Sequence, residues 1–458
     1  METKEYKDIY GDIFIVDKEL GRGGQGVVYR VKDNDCAVKV RINSNGEEIK
    51  IKNGDKLPDP LYGKIQNILR LPIRDINEIA LPAQILKEYS GYIMPLLSEM
   101  QEIKNLLELK KDKEIPEWLS NINNSEAAAL FTNYFDTGSL KRRIELLMKV
   151  AAVLMQLHNR GLVYGDISLN NILYSVDDKV YVCFIDADNI IFNDKVGGAV
   201  YTPKYGAPEL VLYKGSNSIL SDCFSFAVAA FHILSYSHPF EGEKTENNDN
   251  TDWADSDYNS NDKQSGNLYS NPWIYNEDDD SNHAVNGLPL ELIVDDNLHF
   301  LFNKMFTEGV NNLAKRPVMA EFYYAFIRAY NKIITCNHCG MTYYYDKFNG
   351  VCPYCDKENK NIITVKTVHK KTGKEISCFY ESYSIGQPVN IPYSAFMDYE
   401  VKNIYEDALI INVENEYMEI QFLNNHFNFS GKKRMKENFY NKLENKSKTI
   451  RFEISIAR

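Results

Sequence analysis

The chain has 458 residues, 44% apolar and 25% charged, a globular composition that excludes collagen-like, mucin-like and wholly disordered chains. At roughly 100–200 residues per domain, the length implies two to four domains. The formal net charge is −12, but twelve acidic residues and only two lysines fall between Glu241 and Asn282, so the remainder is near neutral and a global basic field for nucleic acid is excluded.

In chain order, Met1 to Asp12 carries no apolar run of signal-peptide type. The longest apolar stretch, residues 223–234, is too short to span a bilayer, so a soluble, cytoplasmic protein with no membrane partner is expected. Residues 13–42 predict three strands, the first two joined by a glycine-rich turn and the third being Cys36-Ala37-Val38-Lys39-Val40. A short helix over 61–71 and strands near 80–86 and 92–97 follow. From Ser139 the period becomes helical through Leu140, Ile144, Leu147, Met148, Ala151, Leu154 and Met155, with Ser139 as the expected N-cap and Gly161 just past the end. The chain is then helix-rich to about residue 334. The acidic stretch 241–282 reads as a solvated loop, with a docking segment for a basic partner as the alternative. Residues 362–458 return to β-type alternation, and Lys432-Lys433-Arg434-Met435-Lys436 reads as a solvated basic loop.

Gly21, Gly23 and Gly26 have the spacing G-x-G-x-x-G, with Gly24 between them, and would let backbone amides approach phosphate oxygens. A strand on each side of the turn argues for a phosphate-covering hairpin rather than a dinucleotide fold. Lys39, thirteen residues after Gly26, ends an apolar strand, where a lysine is costly unless it meets anions. In Tyr164-Gly165-Asp166-Ile167-Ser168-Leu169-Asn170-Asn171, Asp166 suits acceptance of a hydroxyl proton and Asn171 suits magnesium. Asp186, after the short strand Val182-Cys183-Phe184-Ile185, suits a second metal ligand.

This ordered set resembles a protein kinase of the eukaryotic-like type over residues 10–334. The resemblance implies an α+β fold: a bilobal kinase with a β-rich N-lobe and hinge (1–97) and a helical C-lobe (98–334) holding the acidic insertion. It implies ATP and Mg as cofactors and protein substrates. Lys39, Asp166, Asn171 and Asp186 would be catalytic, and Val28, Ala37 and Met94 would border the adenine. Thr202 in Thr202-Pro203-Lys204-Tyr205-Gly206-Ala207-Pro208-Glu209 would hydrogen-bond Asp166, as in Ser/Thr kinases. Glu209 would pair with Arg316, and Asp222 would open the central helix.

Three departures carry expectations. Tyr164-Gly165-Asp166 stands for His-Arg-Asp and lacks the arginine that binds a loop phosphate, so activity independent of loop phosphorylation is expected, with phosphorylation of Thr202 harmful. Asp186-Ala187-Asp188 stands for Asp-Phe-Gly, and Ser168 stands where a lysine is usual. No helix-borne acid for Lys39 is identifiable; Glu47, Glu48 and Asp59 are the candidates, and the expected helix has none.

Cys336 and Cys339, then Cys352 and Cys355, form two Cys-x-x-Cys pairs twelve residues apart, which suits a closed, structural Zn site; a redox pair is the alternative. The unit, 335–358, resembles a zinc ribbon, and a ribbon after the kinase domain resembles a group of bacterial Ser/Thr kinases, which implies a cognate protein phosphatase as a partner. Residues 362–458 are expected to form a small β-sandwich, forkhead-associated-like, serving as a partner-binding or packing module. The alternatives to a kinase are a nucleotide-binding pseudokinase scaffold and an adaptor for nucleic acid, the latter opposed by the acidic balance.

Overall fold

The computed structural model describes residues 4–23, 26–51, 60–109, 116, 119, 124–177, 179–193, 198–246, 268–397, 406–415, 417–423, 425–435 and 439–457. The N-terminal part is a six-stranded antiparallel sheet. Its spatial order is Lys4–Lys7, Ile13–Gly23, Gly26–Val31, Cys36–Arg41, Gly91–Pro95 and Gln84–Ile85. One face carries Val27, Val38, Val40 and Ile93 into a core shared with Tyr6, Val16 and Leu86. The other face meets the helix Pro60–Ile68, whose Leu61 and Ile65 pack on Ile85 and Tyr92. A strand covered on both faces buries every residue, which is why Val38, Lys39 and Val40 are all inside.

Register decides which residues share a face. Val28 lies opposite Lys39, Lys39 opposite Tyr92 and Ala37 opposite Met94. Directly paired residues project to the same side, so these five line one face of the sheet. The sequence expectation of a strand over 80–86 is too long. Only Gln84–Ile85 is strand, because residues 78–80 cross to Phe184 instead, with Phe184 N donating to Glu78 O at 2.8 Å and Ala80 N to Phe184 O at 2.8 Å. The expected helix over 61–71 ends at Ile68.

The following region is helical. Ser139–Asn159 and Ile219–Ser235 form its centre, and Ser125–Asp136, Asp296–Phe306 and Met319–Asn331 pack around them. Fourteen of the 17 residues of Ile219–Ser235 are buried, so it is a core helix with no solvated stripe. Ser218 and Ser221 close a reciprocal capping box at its start. Ser139 is not the N-cap of its helix. Gly138, with φ +87°, takes that position, and the Ser139 hydroxyl points to Met341 Sδ at 3.4 Å. Thr342 Oγ1 instead accepts the orphan Lys141 N–H at 2.9 Å. No helix among the described residues is long and apolar enough to cross a membrane.

Beyond residue 332, the hairpin Ile333–Thr335 and Thr342–Tyr344 holds Cys336 and Cys339 in its turn, and Cys352 and Cys355 lie in the following turn, closed by the Val351–Glu358 bridge. Two four-stranded antiparallel sheets follow. Glu375–Ser382, Ile362–His369, Ile450–Ala457 and Phe439–Glu444 form one; Pro388–Pro392, Asp407–Val413, Met418–Phe422 and Gly431–Met435 form the other. Ile363, Val365, Ile411, Ile420, Phe452 and Ile454 share one core. The basic run is not a loop. Gly431–Met435 is the edge strand of the second sheet, with Arg434 opposite Glu419 and Lys432 Nζ 3.2 Å from Glu419 Oε1. Charged side chains suit an open edge, since they discourage pairing with another chain. Lys436 lies outside the described residues. Lys141 Nζ to Glu381 Oε2, 3.0 Å, ties the first sheet to the helical region, and Asn331 Nδ2 to Ser394 O, 2.7 Å, ties the turn Tyr393–Phe396 to it.

Candidate functional site

The glycine-rich hairpin holds its three described glycines for different reasons. A Cβ on Gly26 would fall 2.7 Å from Val40 O, so Gly26 permits close strand pairing. Gly21 and Gly23 face open space. Gly24 lies outside the described residues, as does most of the acidic insertion, 247–267.

Lys39 is 8% exposed and its Nζ lies 2.6 Å from Asp186 Oδ1. Burial alone would depress the ammonium, but Tyr92, Asp186 and Asp188 outweigh it, and its pKa ends above the usual lysine value. The helix Pro60–Ile68 contributes no acid to Lys39. Glu48 accepts from the Tyr6 and Tyr29 hydroxyls at 2.9 and 2.8 Å, Glu47 accepts from Asn43 at 3.0 Å, and Asp59 lies outside the described residues. What the helix contributes is Lys64, whose Nζ lies 3.1 Å from Asp188 Oδ2 and 2.9 Å from Asn189 Oδ1.

The 164–171 loop is held from three sides. Asp222, at the start of the central helix, accepts Tyr164 N at 2.7 Å and Gly165 N at 3.0 Å, and also contacts His158 Nε2 at 3.1 Å. Asn217 donates to Gly165 O and to Val200 O, each at 2.7 Å, and accepts Val200 N at 2.8 Å, so it stitches this loop to the segment before Thr202. The buried Tyr164 hydroxyl donates to Ile185 O, the carbonyl just before Asp186. Gly165 has φ +93°, and a Cβ there would sit 3.3 Å from Asn189 O, so this backbone selects glycine where the resemblance has arginine.

The loop brings Asp166 and Asn171 together. Asn171 Nδ2 donates to Asp166 O at 2.8 Å, and Ile185 N donates to Asn171 O at 3.0 Å. Thr202 Oγ1 donates to Asp166 Oδ1 at 2.7 Å. Burial raises the Asp166 carboxyl above the usual carboxylate range, and the Thr202 hydrogen bond offsets only part of that rise. With its nitrogen spent on Asp166, Asn171 offers a cation its amide oxygen. With Asp186 this gives an amide oxygen and a carboxylate, the hard donors that magnesium takes.

Glu209 and Arg316 meet as a bidentate pair, Nη1 to Oε1 at 2.8 Å and Nη2 to Oε2 at 2.7 Å. Arg316 also donates to Gly309 O at 2.8 Å and Leu220 O at 3.1 Å, and lies over the Phe224 ring.

The four cysteine sulfurs lie within 4.8 Å of one another, with Cys336–Cys355 and Cys339–Cys352 each at 3.7 Å. A tetrahedron with bonds of about 2.3 Å has edges near 3.8 Å, so the set fits zinc and is too open for disulfides. Burial opposes the Cys336 thiolate, but Asn359 Nδ2 at 3.4 Å and nearby backbone N–H groups pull its thiol down to about 6. His338 is exposed, its N–H on Cys336 Sγ at 3.4 Å and its ring beside Glu358 O.

Asn217, Asn359 and Lys64 are not legible in the sequence as site residues, since each is an ordinary polar residue with no motif spacing, and only the fold brings it to its partner. Asp188 is visible in the sequence only as the last residue of Asp186-Ala187-Asp188, with no role of its own assigned there.

Residues 96–272 match the family model for the protein kinase domain. That stretch includes Asp166, Asn171, Asp186, Thr202, Glu209 and Asp222, and it leaves out the glycine hairpin, Lys39 and Arg316. The chain is 34% identical over 100 residues to "Protein kinase C, eye isozyme" of Drosophila melanogaster, covering 21% of this chain and 14% of that protein. It is 29% identical over 96 residues to "Serine/threonine-protein kinase kin-29" of Caenorhabditis briggsae, 21% and 12%. It is 24% identical over 245 residues to "Serine/threonine-protein kinase PLK4" of Nematostella vectensis, 53% and 22%. The chain thus spans less than a quarter of the length of each of these relatives, all of them eukaryotic. It carries a protein kinase domain and has serine/threonine-protein kinases among its relatives.

Proposed function

We propose that the chain is an ATP- and magnesium-dependent serine/threonine protein kinase that transfers the γ-phosphate to hydroxyls of protein substrates in the cytoplasm. The observation that carries this reading is the hydrogen-bonded chain Thr202–Asp166–Asn171 beside the Lys39–Asp186 pair. Asp166 would orient the acceptor hydroxyl and take its proton, and Thr202 would fix the carboxylate that does so. Lys39 and the hairpin around Gly21 and Gly23 would hold the phosphates beneath the face formed by Val28, Ala37 and Met94, which suits an adenine ring. Asn171 and Asp186 would hold magnesium, which when bound neutralises charge on the phosphate oxygens. Catalysis then rests on positioning and charge, as phosphoryl transfer requires. Cys336, Cys339, Cys352 and Cys355 would hold a structural zinc ion that closes a ribbon over 335–358. The sheets of 362–458 would form a separate accessory domain that binds or orients a partner. A ribbon placed after the kinase domain keeps the bacterial group and its cognate phosphatase within this proposal.

A second reading, a nucleotide-binding scaffold, is favoured by one observation: the helix Pro60–Ile68 brings no acid to Lys39. Phosphate transfer from labelled ATP with Mg²⁺, onto the chain itself and onto a generic basic protein, separates the two. Label on Ser or Thr that disappears in both Asp166→Asn and Asp186→Asn supports the kinase. No label, with ATP still raising the melting temperature, supports the scaffold.

A further inference from the structure

Two charged residues near the site, Asp188 and Lys64, have no role in the mechanism above. Asp188 is 9% exposed, its Oδ2 is held by Lys64, and its Oδ1 has no hydrogen-bond partner among the described residues. A buried carboxylate oxygen left without a partner is rare in a folded protein and calls for an explanation, a functional role among them. Lys39 has the complementary problem. Its hydrogen-bond partner is Asp186, the residue proposed to bind metal, and a carboxylate that turns to a cation no longer serves an ammonium in the same way. The acid that should then hold Lys39 is missing from the helix Pro60–Ile68, and Glu47 and Glu48 are engaged elsewhere.

We propose that Asp188 anchors Lys39 when nucleotide is bound, and that Lys64 holds Asp188 in place from the helix. The helix thus contributes a cation, and the acid comes from the turn Ala187–Asn189 after the metal-ligand candidate, an inversion of the usual arrangement. The turn packs on that helix, so movement of the helix would be felt at Lys39 through Lys64 and Asp188. Asp188 and Lys64 are positioning residues in this scheme. The inference rests on nucleotide binding at the proposed site.

The test uses the full chain with Mg-ATP and two readouts: the initial rate of phosphate transfer, and the ATP-dependent rise in melting temperature, which needs no turnover. Asp188→Asn should lower the rate about tenfold and shrink the ATP-dependent shift, while the melting temperature without nucleotide stays near that of the parent. Asp188→Glu should retain more of both, and Lys64→Ala should show the same defect in weaker form. Added to Lys39→Ala, the Asp188→Asn change should cost nothing further, as expected for two residues acting as one unit.

The proposal is overturned by an Asp188→Asn chain with parental rate and shift while Asp186→Asn has lost both. It is also overturned if Asp188→Asn raises the magnesium requirement, which would make Asp188 a metal ligand, or lowers basal stability without a selective loss of the nucleotide response. A parent chain that binds ATP without transferring phosphate would refute the kinase reading alone, and the shift would still decide the role of Asp188. A parent chain with neither response would refute both.

Discussion

Thr202 Oγ1 donates to Asp166 Oδ1 at 2.7 Å, joining the segment that ends at Glu209 to the 164–171 loop. A phosphate on Thr202 would remove that donor and set a dianion against a buried carboxylate. Phosphorylated Thr202, or Thr202→Glu, should therefore lose at least about 100-fold in phosphate transfer, and Thr202→Ala less, in initial-rate assays.

Asp166 should trade stability for activity. Its folded pKa is raised by burial, so in the window above the ordinary carboxylate value the folded chain binds the proton more tightly than the unfolded chain. Stability falls as pH rises through that window, and the deficit persists at neutral pH. Asp166→Asn should raise the melting temperature at pH 7 while abolishing transfer, and the gain should shrink as pH falls below about 4.

The Glu209–Arg316 pair predicts a stability effect. The Arg316 side chain is fully buried and Glu209 is 11% exposed. Removing either partner leaves a buried charge uncompensated. Glu209→Ala should cost about 3–5 kcal/mol, read as a lower denaturant midpoint.

His232 and His238 predict acid sensitivity. His232 is half-buried on the central helix, its Nδ1 3.1 Å from the Tyr205 hydroxyl, with His238, Lys204 and Glu241 as the charged or titratable neighbours. Burial lowers its pKa to about 3, so as pH falls from about 6.5 the unfolded chain takes up a proton that the folded chain refuses. Stability is full above that range and declines toward pH 3. His232→Gln should reduce the slope of unfolding free energy against pH by up to about 1.4 kcal/mol per pH unit, measured in urea between pH 4 and 6.5.

The cysteine unit predicts one zinc per chain by elemental analysis. Cys336→Ser or chelation should release it and lower the melting temperature. The effect should reach the helix Ser139–Asn159, because Thr342 and Met341 of this unit meet its first turn. Hydrogen exchange at residues 139–143 should rise several-fold on chelation.

The residues that carry chemistry were legible because their spacing reflects local geometry. Asp166 and Asn171 share one loop, Asp186 ends the strand Val182–Phe184, and the cysteines form two tight pairs, so each cluster is written within a few residues of chain. The hairpin of strands around the glycines was readable from hydrophobic period for the same reason, whereas the central helix 219–235, buried nearly all round, was expected only from the resemblance that placed Asp222 at its start. Element boundaries were less legible. Ser139 is a good N-cap by type, yet Gly138 takes the position and a hydroxyl 201 residues away in sequence satisfies the first-turn amide.

What the sequence by itself determined is the inventory: a glycine hairpin, a buried lysine, a loop with Asp and Asn, a second Asp, and four cysteines. The tertiary structure alone decided the partners. Lys39 meets Asp186, Lys64 meets Asp188, Asn217 joins Gly165 to Val200, and Lys432-Lys433-Arg434 runs along a sheet edge instead of a loop. Spacing along the chain fixes which residues can act within one turn or strand. Contacts across 50 to 150 residues depend on how sheets and helices pack, and burial then decides which charged groups must find each other.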